Sequence, residues 1–352
     1  MAKNEAAWIT APAAYPFTVK SAPKPKPGPG HIVIKNAAVA ILPKNPVDWK
    51  IQSLGRYLDK YPFILGEDAA GIVEDIGPGV TRYRKGQRVI AHCNSLMTQD
   101  PANAAFQLYT VVTEALVAEL PDGLTFEEGS VLPLATSTAC AGLYRKDYLG
   151  LPLPVVGGAK ATGQTILIWG GASSVGATSI QLAVASGLTV LTTASAANHD
   201  FVKSLGAHAV FDYRSSNVVQ DIVNALANTK FVGVYDAISE DVSFKAISTI
   251  LDGLNVTVNV ASVLPYDKPT ERFAPKADEV IFVTVLAYSI IQDPHCDIGE
   301  WIWGKYVPEA LANGTFKPKP EPVVVGNGLQ DIQYGLDIQK KGVSAKKVVI
   351  AL

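Results

Sequence analysis

Cysteine is scarce: Cys93, Cys140 and Cys296 are the three in 352 residues. So sparse and odd a set excludes a disulfide framework and fits a reducing compartment. An excess of either charge is missing too. Thirty Lys and Arg stand against 32 Asp and Glu, a net charge of −2, which offers no basic face for nucleic acid or anionic lipid. No uninterrupted apolar stretch is long enough to span a bilayer, and MAKNEAAWITAPAAYPF at the start lacks the apolar centre of a secretory signal. The closing VVIAL matches no common peroxisomal or endoplasmic-reticulum address. Internal repeats and low-complexity tracts are absent as well. These exclusions leave a cytoplasmic α/β protein with no nucleic-acid and no membrane partner, long enough for two domains.

What is present changes character along the chain. The first third is rich in β-branched residues, Gly and Pro, and HIVIKNAAVAI (31–41), GIVEDIG (71–77) and QRVIAHC (87–93) read as strands. SAPKPKPGPG (21–30), flanked by strand signals, reads as a rigid, extended connection within one domain. PDGLTFEEGSVLPLA (121–135) carries turn chemistry and then an apolar entry to a helix. From about residue 160 strands and helices alternate. Strand runs fall at 165–169, 188–193, 207–213, 231–237, 254–262 and 280–288. Helical patterns fall near 174–186, 199–206 and 218–228, where Val219, Ile222, Val223 and Leu226 share a face. Such alternation predicts a doubly wound parallel sheet. A helix near 298–312 precedes a last stretch, PVVV…KKVVIAL, that reads as strand again.

LIWGGASSVGATSIQLA (167–183) resembles a G-x-G-x-x-G dinucleotide turn with Ser173 in the middle glycine's place. Alone that match is weak, but it follows a strand and opens a helix, as a βαβ unit requires. Gly171 allows the tight turn, and Gly176 lets the helix lie close to the sheet. Gly170, Gly171, Ala172, Ser173, Ser174, Val175 and Gly176 therefore form the candidate pyrophosphate site at a helix N-terminus. The Ser173 hydroxyl can donate to phosphate. An NAD site places a carboxylate at the end of the second strand; here Thr193 stands there, and Asp200 lies well inside the next helical segment. Ser195 and Asn198 can hydrogen-bond a 2′-phosphate, and Tyr213 can cover the ribose or be an ordinary strand-end tyrosine. NADPH is the cofactor these residues predict.

The whole chain resembles the medium-chain dehydrogenase/reductase superfamily. PGPGHIVIKNAAVAILPKNPVDWK is similar to its N-terminal barrel opening, LGEDAAGIVEDIGPGVTRYRKGQRV to its most recognisable stretch, and LPLATSTACAGL to its entry into the cofactor domain. The resemblance implies a GroES-like β-rich catalytic domain (1–140), a doubly wound Rossmann domain (141–315) and a C-terminal return to the catalytic domain (316–352), with the nicotinamide in the cleft between them. The chain departs from the zinc alcohol dehydrogenases. Asn45 stands where they carry Cys, Gly66-Glu67-Asp68 where they carry Gly-His-Glu, and Leu134 near another Cys. Cys93 is alone where their structural zinc lobe needs four cysteines, and His92 and Cys93 alternate across a strand. No metal is expected. The zinc-free branch is similar to quinone oxidoreductases, alkenal reductases and enoyl reductases. NPVDWK, ASSV and FDY resemble fungal toxin-cluster members, among them the separate enoyl reductases that serve iterative polyketide synthases.

That likeness implies NADPH-dependent reduction of an activated C=C, with hydride to the β-carbon and negative charge developing on the carbonyl oxygen. Lys50 is the candidate donor to the oxyanion or to cofactor hydroxyls; without its motif it reads as a surface lysine. Thr136 and Thr138 are candidates for the carboxamide or substrate carbonyl, with helix-start capping as the alternative. Asn45, Asp48 and Trp49 are placed beside the nicotinamide, although Trp49 equally suits a core. Val260, Ala261, Ser262, Leu286, Ala287, Tyr288, Val343 and Ser344 are the remaining cofactor contacts implied. Adjacent strand carboxylates face apart, so Glu67 and Asp68 receive no catalytic role. A small-molecule or carrier-bound enoyl substrate, a polyketide synthase partner, and a monomer or homodimer complete the expectation. Quinone reduction and a non-catalytic NADPH sensor are the alternatives.

Overall fold

The computed structural model describes residues 3–41, 47–55, 57–264 and 282–352. They form two compact units, one drawn from 1–134 and 299–352, the other from 135–298. The chain opens with the antiparallel pair β1 (Asn4–Ile9) and β2 (Thr18–Ala22), followed by β3 (His31–Ile41) and α1 (Val47–Leu54). Next come β4 (Phe63–Ile64), β5 (Asp68–Ile76), β6 (Arg88–His92), α2 (Ser95–Thr98), β7 (Tyr109–Thr113) and β8 (Val117–Glu119). The length of β3 lets it pair with β7 through its first half and with a C-terminal strand through its second, while β5 lines its other edge. Such a central strand is covered on both faces, which is why HIVIKNAAVAI is almost continuously apolar. Thr125 and Glu128 close a capping box on α3 (Phe126–Ser130), and α4 (Pro133–Tyr144) follows.

In the second unit, β9 (Gln164–Trp169), α5 (Ser174–Ala185), β10 (Thr189–Ala194), α6 (His199–Ser204), β11 (Ala209–Asp212) and α7 (Val218–Leu226) alternate. They continue into β12 (Lys230–Asp236), α8 (Asp241–Leu254), β13 (Val260–Ser262) and β14 (Phe282–Thr284). All six strands are parallel, in the order β11-β10-β9-β12-β13-β14. This is the doubly wound sheet the alternation predicts. Val218, Ile222 and Leu226 of α7 pack with Ile247, Ile250 and Leu251 of α8 over Leu167, Leu191, Val234 and Val260. α5 lies against β9 and β10, and nearly all of its residues from Ser174 to Ala183 are buried; its run of Gly, Ala, Ser and Thr makes that close packing feasible.

The chain ends with α9 (Cys296–Trp301), a π-wound turn over 302–306, α10 (Val307–Ala312), β15 (Glu321–Asn327), α11 (Ile332–Lys341) and β16 (Lys346–Ala351). β16 pairs antiparallel with β3. No helix of the described residues is long and apolar enough to cross a membrane.

Two strand expectations are too long. Over 254–262 only 260–262 is strand, because α8 runs to Leu254 and Asn255 caps it in the left-handed conformation at φ +52°. In the run expected over 280–288, 282–284 is strand and a 3-10 turn begins at Ala287; residues 280 and 281 lie outside the described residues.

Candidate active site

The apolar strand β9 delivers the chain to Gly170, whose φ of +83° turns it out of the sheet. At Gly176 a Cβ would lie 2.2 Å from the Gly170 carbonyl oxygen, so only hydrogen lets α5 pack on the turn. Ser173 is the N-cap of α5. Its hydroxyl accepts the Gly176 amide at 3.0 Å and donates to the Gly170 carbonyl at 2.8 Å, so it serves the turn itself rather than pointing outward to a phosphate. The next hydroxyl differs. Ser174 Oγ is buried and has no hydrogen-bond partner, the condition of a donor awaiting an acceptor at a helix N-terminus. Ala172 and Val175 complete the turn.

Thr193, fully buried, is a strut. Its Oγ1 accepts the Gly170 amide at 2.9 Å, and its carbonyl accepts the Gly171 amide at 2.9 Å. That leaves the expected ribose position to the residues after β10. Ser195 Oγ accepts Asn198 Nδ2 at 3.1 Å. Tyr213, one residue past β11, is 38% exposed, with the Arg214 guanidinium 5.3 Å from its ring centroid. Val260, Ala261 and Ser262 end at the same edge, buried, with Ser262 Oγ donating to the Leu264 carbonyl. Leu286 is exposed, and Ala287 and Tyr288 are half-buried. Thr136 and Thr138 are buried within α4, beyond its first turn, which removes helix-start capping as their role. The Thr138 carbonyl accepts the Tyr235 hydroxyl at 2.8 Å.

Sequence reasoning passed over Asp236 and Arg214. Asp236, at the end of β12, is fully buried. Its Oδ1 accepts the Ile238 and Ser239 amides, and its Oδ2 accepts the Ser243 hydroxyl at 2.7 Å. Burial outweighs those donors and raises its carboxyl to about 6. Ser239 Oγ in turn accepts the Val263 amide, so one carboxylate shapes the loops after two neighbouring strands. A carboxylate at a strand end followed by Ser three and seven residues on is the signal that could have found it.

In the other unit, α1 carries Asp48, Trp49 and Lys50, the last two half-buried. Asn45 lies outside the described residues. The Lys340 ammonium sits 5.5 Å from the Trp49 ring centroid. Val343 is half-buried and Ser344 exposed, just ahead of β16. Asp48 is buried; its Oδ1 accepts the Gly66 amide while its Oδ2 has no hydrogen-bond partner, and burial pushes the carboxyl up to about 7. Glu67 and Asp68 take different partners, as alternation demands. Glu67 accepts the Ser95 hydroxyl at 2.9 Å and lies 3.8 Å from His92 Nε2. Burial raises the Glu67 carboxyl well above its ordinary value and lowers the His92 imidazole to about 3, so the imidazole is neutral near pH 7. Asp68 accepts the Leu134 amide through Oδ1 and the Lys347 ammonium through Oδ2 at 2.6 Å. Lys347 is fully buried and also donates to the Val131 carbonyl.

The orphaned Ser174 hydroxyl and the glycine cradle at α5 fit a dinucleotide pyrophosphate. A catalytic metal fits poorly. Lys347 already occupies the Asp68 carboxylate, and among the described residues no three of His, Cys, Asp and Glu are grouped to hold an ion.

Residues 28–122 match the alcohol dehydrogenase GroES-like domain. The chain is 43% identical to the trans-enoyl reductase himH of Aspergillus japonicus, over 92% of this chain and 90% of that one. It is 40% identical to the dehydrogenase pigH of Monascus ruber over the whole of both. An alcohol dehydrogenase superfamily protein from Novosphingobium aromaticivorans superposes with a TM-score of 0.78 at 25% identity, covering 99% of each chain.

Proposed function

The chain belongs to the medium-chain dehydrogenase/reductase family, in its enoyl reductase branch, and is an oxidoreductase; we propose that it is an NADPH-dependent, metal-independent reductase of an enoyl C=C bond. What carries this reading is the likeness to a trans-enoyl reductase along 92% of the chain. The bound nicotinamide supplies the hydride; the protein's own residues bind, orient and neutralise. The α5 N-terminus and Ser174 take the pyrophosphate. Ser195, Asn198 and Tyr213 take the adenosine ribose and its 2′-phosphate, with no carboxylate at the end of β10 to repel it. Lys50 donates to the oxygen on which charge develops, and Thr138 orients the carbonyl. Lys347 supplies Asp68 with a cation, so no metal is needed there. The substrate class is an enone, enal or enoyl thioester, free or carried by a polyketide synthase, and the site of action is the cytoplasm.

The experiment is NADPH oxidation across enals, enones, enoyl thioesters and quinones. Consumption with the enoyl compounds, at a rate indifferent to chelators, is expected; oxidation with quinones alone sinks the reading. Equal affinity for NADH and NADPH in a fluorescence titration sinks the cofactor assignment. Lys50→Ala is expected to lose at least about 100-fold in turnover with its fold retained; unchanged kcat and KM remove Lys50 from the site.

A further inference from the structure

Ser195, Asn198 and Tyr213 are uncharged, and Thr193 Oγ1 already accepts the Gly170 amide. That set gives a phosphate dianion hydrogen bonds without a counter-charge, an expensive arrangement at a half-buried site. The parallel register brings one. Thr193 pairs with Phe211 and Ala194 with Asp212. The chain leaving β10 as Ser195 therefore runs beside the chain leaving β11 as Tyr213 and Arg214.

Two contacts hold Arg214 at that edge. Asp212 Oδ1 accepts its backbone amide at 2.9 Å, bending the chain over the strand end. Its guanidinium lies 5.3 Å from the Tyr213 ring centroid. Stacking of that kind keeps a guanidinium's orientation while its N–H groups stay open to an oxyanion. Among the described residues Arg214 forms no ion pair with a carboxylate. The other charged groups nearby are differently placed. The His199 ring is 3.3 Å from the Ala194 carbonyl, and Asp200 and Lys203 are exposed on α6, Lys203 in its last turn.

We propose that Arg214 is the cation that reads the 2′-phosphate of an adenine dinucleotide, with Ser195 and Tyr213 completing its site. This rests on the NADPH reading above, and it adds the charge-bearing residue which that reading lacks. Arg214 acts only in binding, so its role is visible without turnover.

Calorimetric titration of the full chain with NADPH, NADH, adenosine 2′,5′-bisphosphate and 5′-AMP tests it, on the wild type, Arg214→Ala and Lys203→Ala. Arg214→Ala is expected to weaken NADPH and the bisphosphate by roughly 10- to 100-fold and to leave NADH and 5′-AMP unchanged. The salt dependence of NADPH binding should fall with it. Retained NADH binding also reports that the variant is folded. An equal loss for NADH and NADPH, or a loss in Lys203→Ala instead, overturns the assignment. If the wild type prefers NADPH and Arg214→Ala keeps that preference, only the Arg214 assignment falls. If the wild type binds both dinucleotides alike, the NADPH reading falls first and takes this one with it.

Discussion

Lys347 and Asp68 are both fully buried, and each is the other's charge partner. Removing the ammonium with Lys347→Met strands a carboxylate out of water, which costs about 3–5 kcal/mol. Chemical denaturation should show that loss, with much of it regained when Asp68→Asn is added; equal stability of the single variant and the wild type contradicts the pairing. Asp236 makes a prediction in pH. Its folded value of about 6 stands above the ordinary 3.8, so between those values the folded state holds more protons than the unfolded one. Stability from this group is therefore present at low pH and declines as pH rises toward 6. Asp236→Asn keeps the oxygen that accepts the Ile238 and Ser239 amides and cannot ionise. Its stability relative to wild type should grow by up to roughly 3 kcal/mol from pH 4 to pH 6.5; a difference independent of pH refutes this. Lys347 did not announce itself in the sequence. KKVVIAL reads as a strand entered from solvent, and nothing local tells Lys346, which is exposed, from Lys347, which is not. Burial of a lysine depends on a carboxylate 279 positions earlier.

At the scale of elements, α5 and its turn are the part most dependent on each other. Ser173→Ala removes the acceptor of the Gly176 amide and should cost about 1 kcal/mol in thermal unfolding. Gly176→Ala puts a methyl against the Gly170 carbonyl, and because backbone must move, NADPH affinity should drop at least about tenfold. Unaltered affinity in a folded Gly176→Ala protein contradicts that packing. This element was legible because strand, glycines and helix follow one another without interruption from Gln164 to Ala185. α8 was legible in principle, since Phe244, Ile247 and Leu251 keep helical spacing, yet the β-branched VTVNV behind it extended the strand expectation backward. α11 hides its buried face, because Gln333, Gly335 and Gln339 share it with Ile332 and Leu336; amides and glycine leave no apolar stripe to read. The positions implied by the motif, Asp48 to Lys50 and Val343 to Ser344, come from likeness rather than from periodicity.

At the scale of the molecule, a saturating dinucleotide stabilises the unit that holds its turn. NADPH at 100 times its Kd should add about 2.7 kcal/mol, and amide exchange should slow around 170–176 and the ends of β10 and β11. A melting temperature indifferent to NADPH contradicts the site. The two units differ in how they are threaded: residues 135–298 are one continuous run, whereas the other unit is built from both sides of it. Synthesis from the N-terminus therefore meets them in an order unlike their order in the sequence. The strands β1–β8 emerge first, but β3 waits for β16 along its second half, and Asp68 waits for the cation on that same strand. Every strand of the continuous unit is translated before β16, so its sheet does not wait for the C-terminal strand. The first-made residues are thus the last to close, and until Lys347 leaves the ribosome the nascent chain carries a carboxylate with nowhere favourable to be buried.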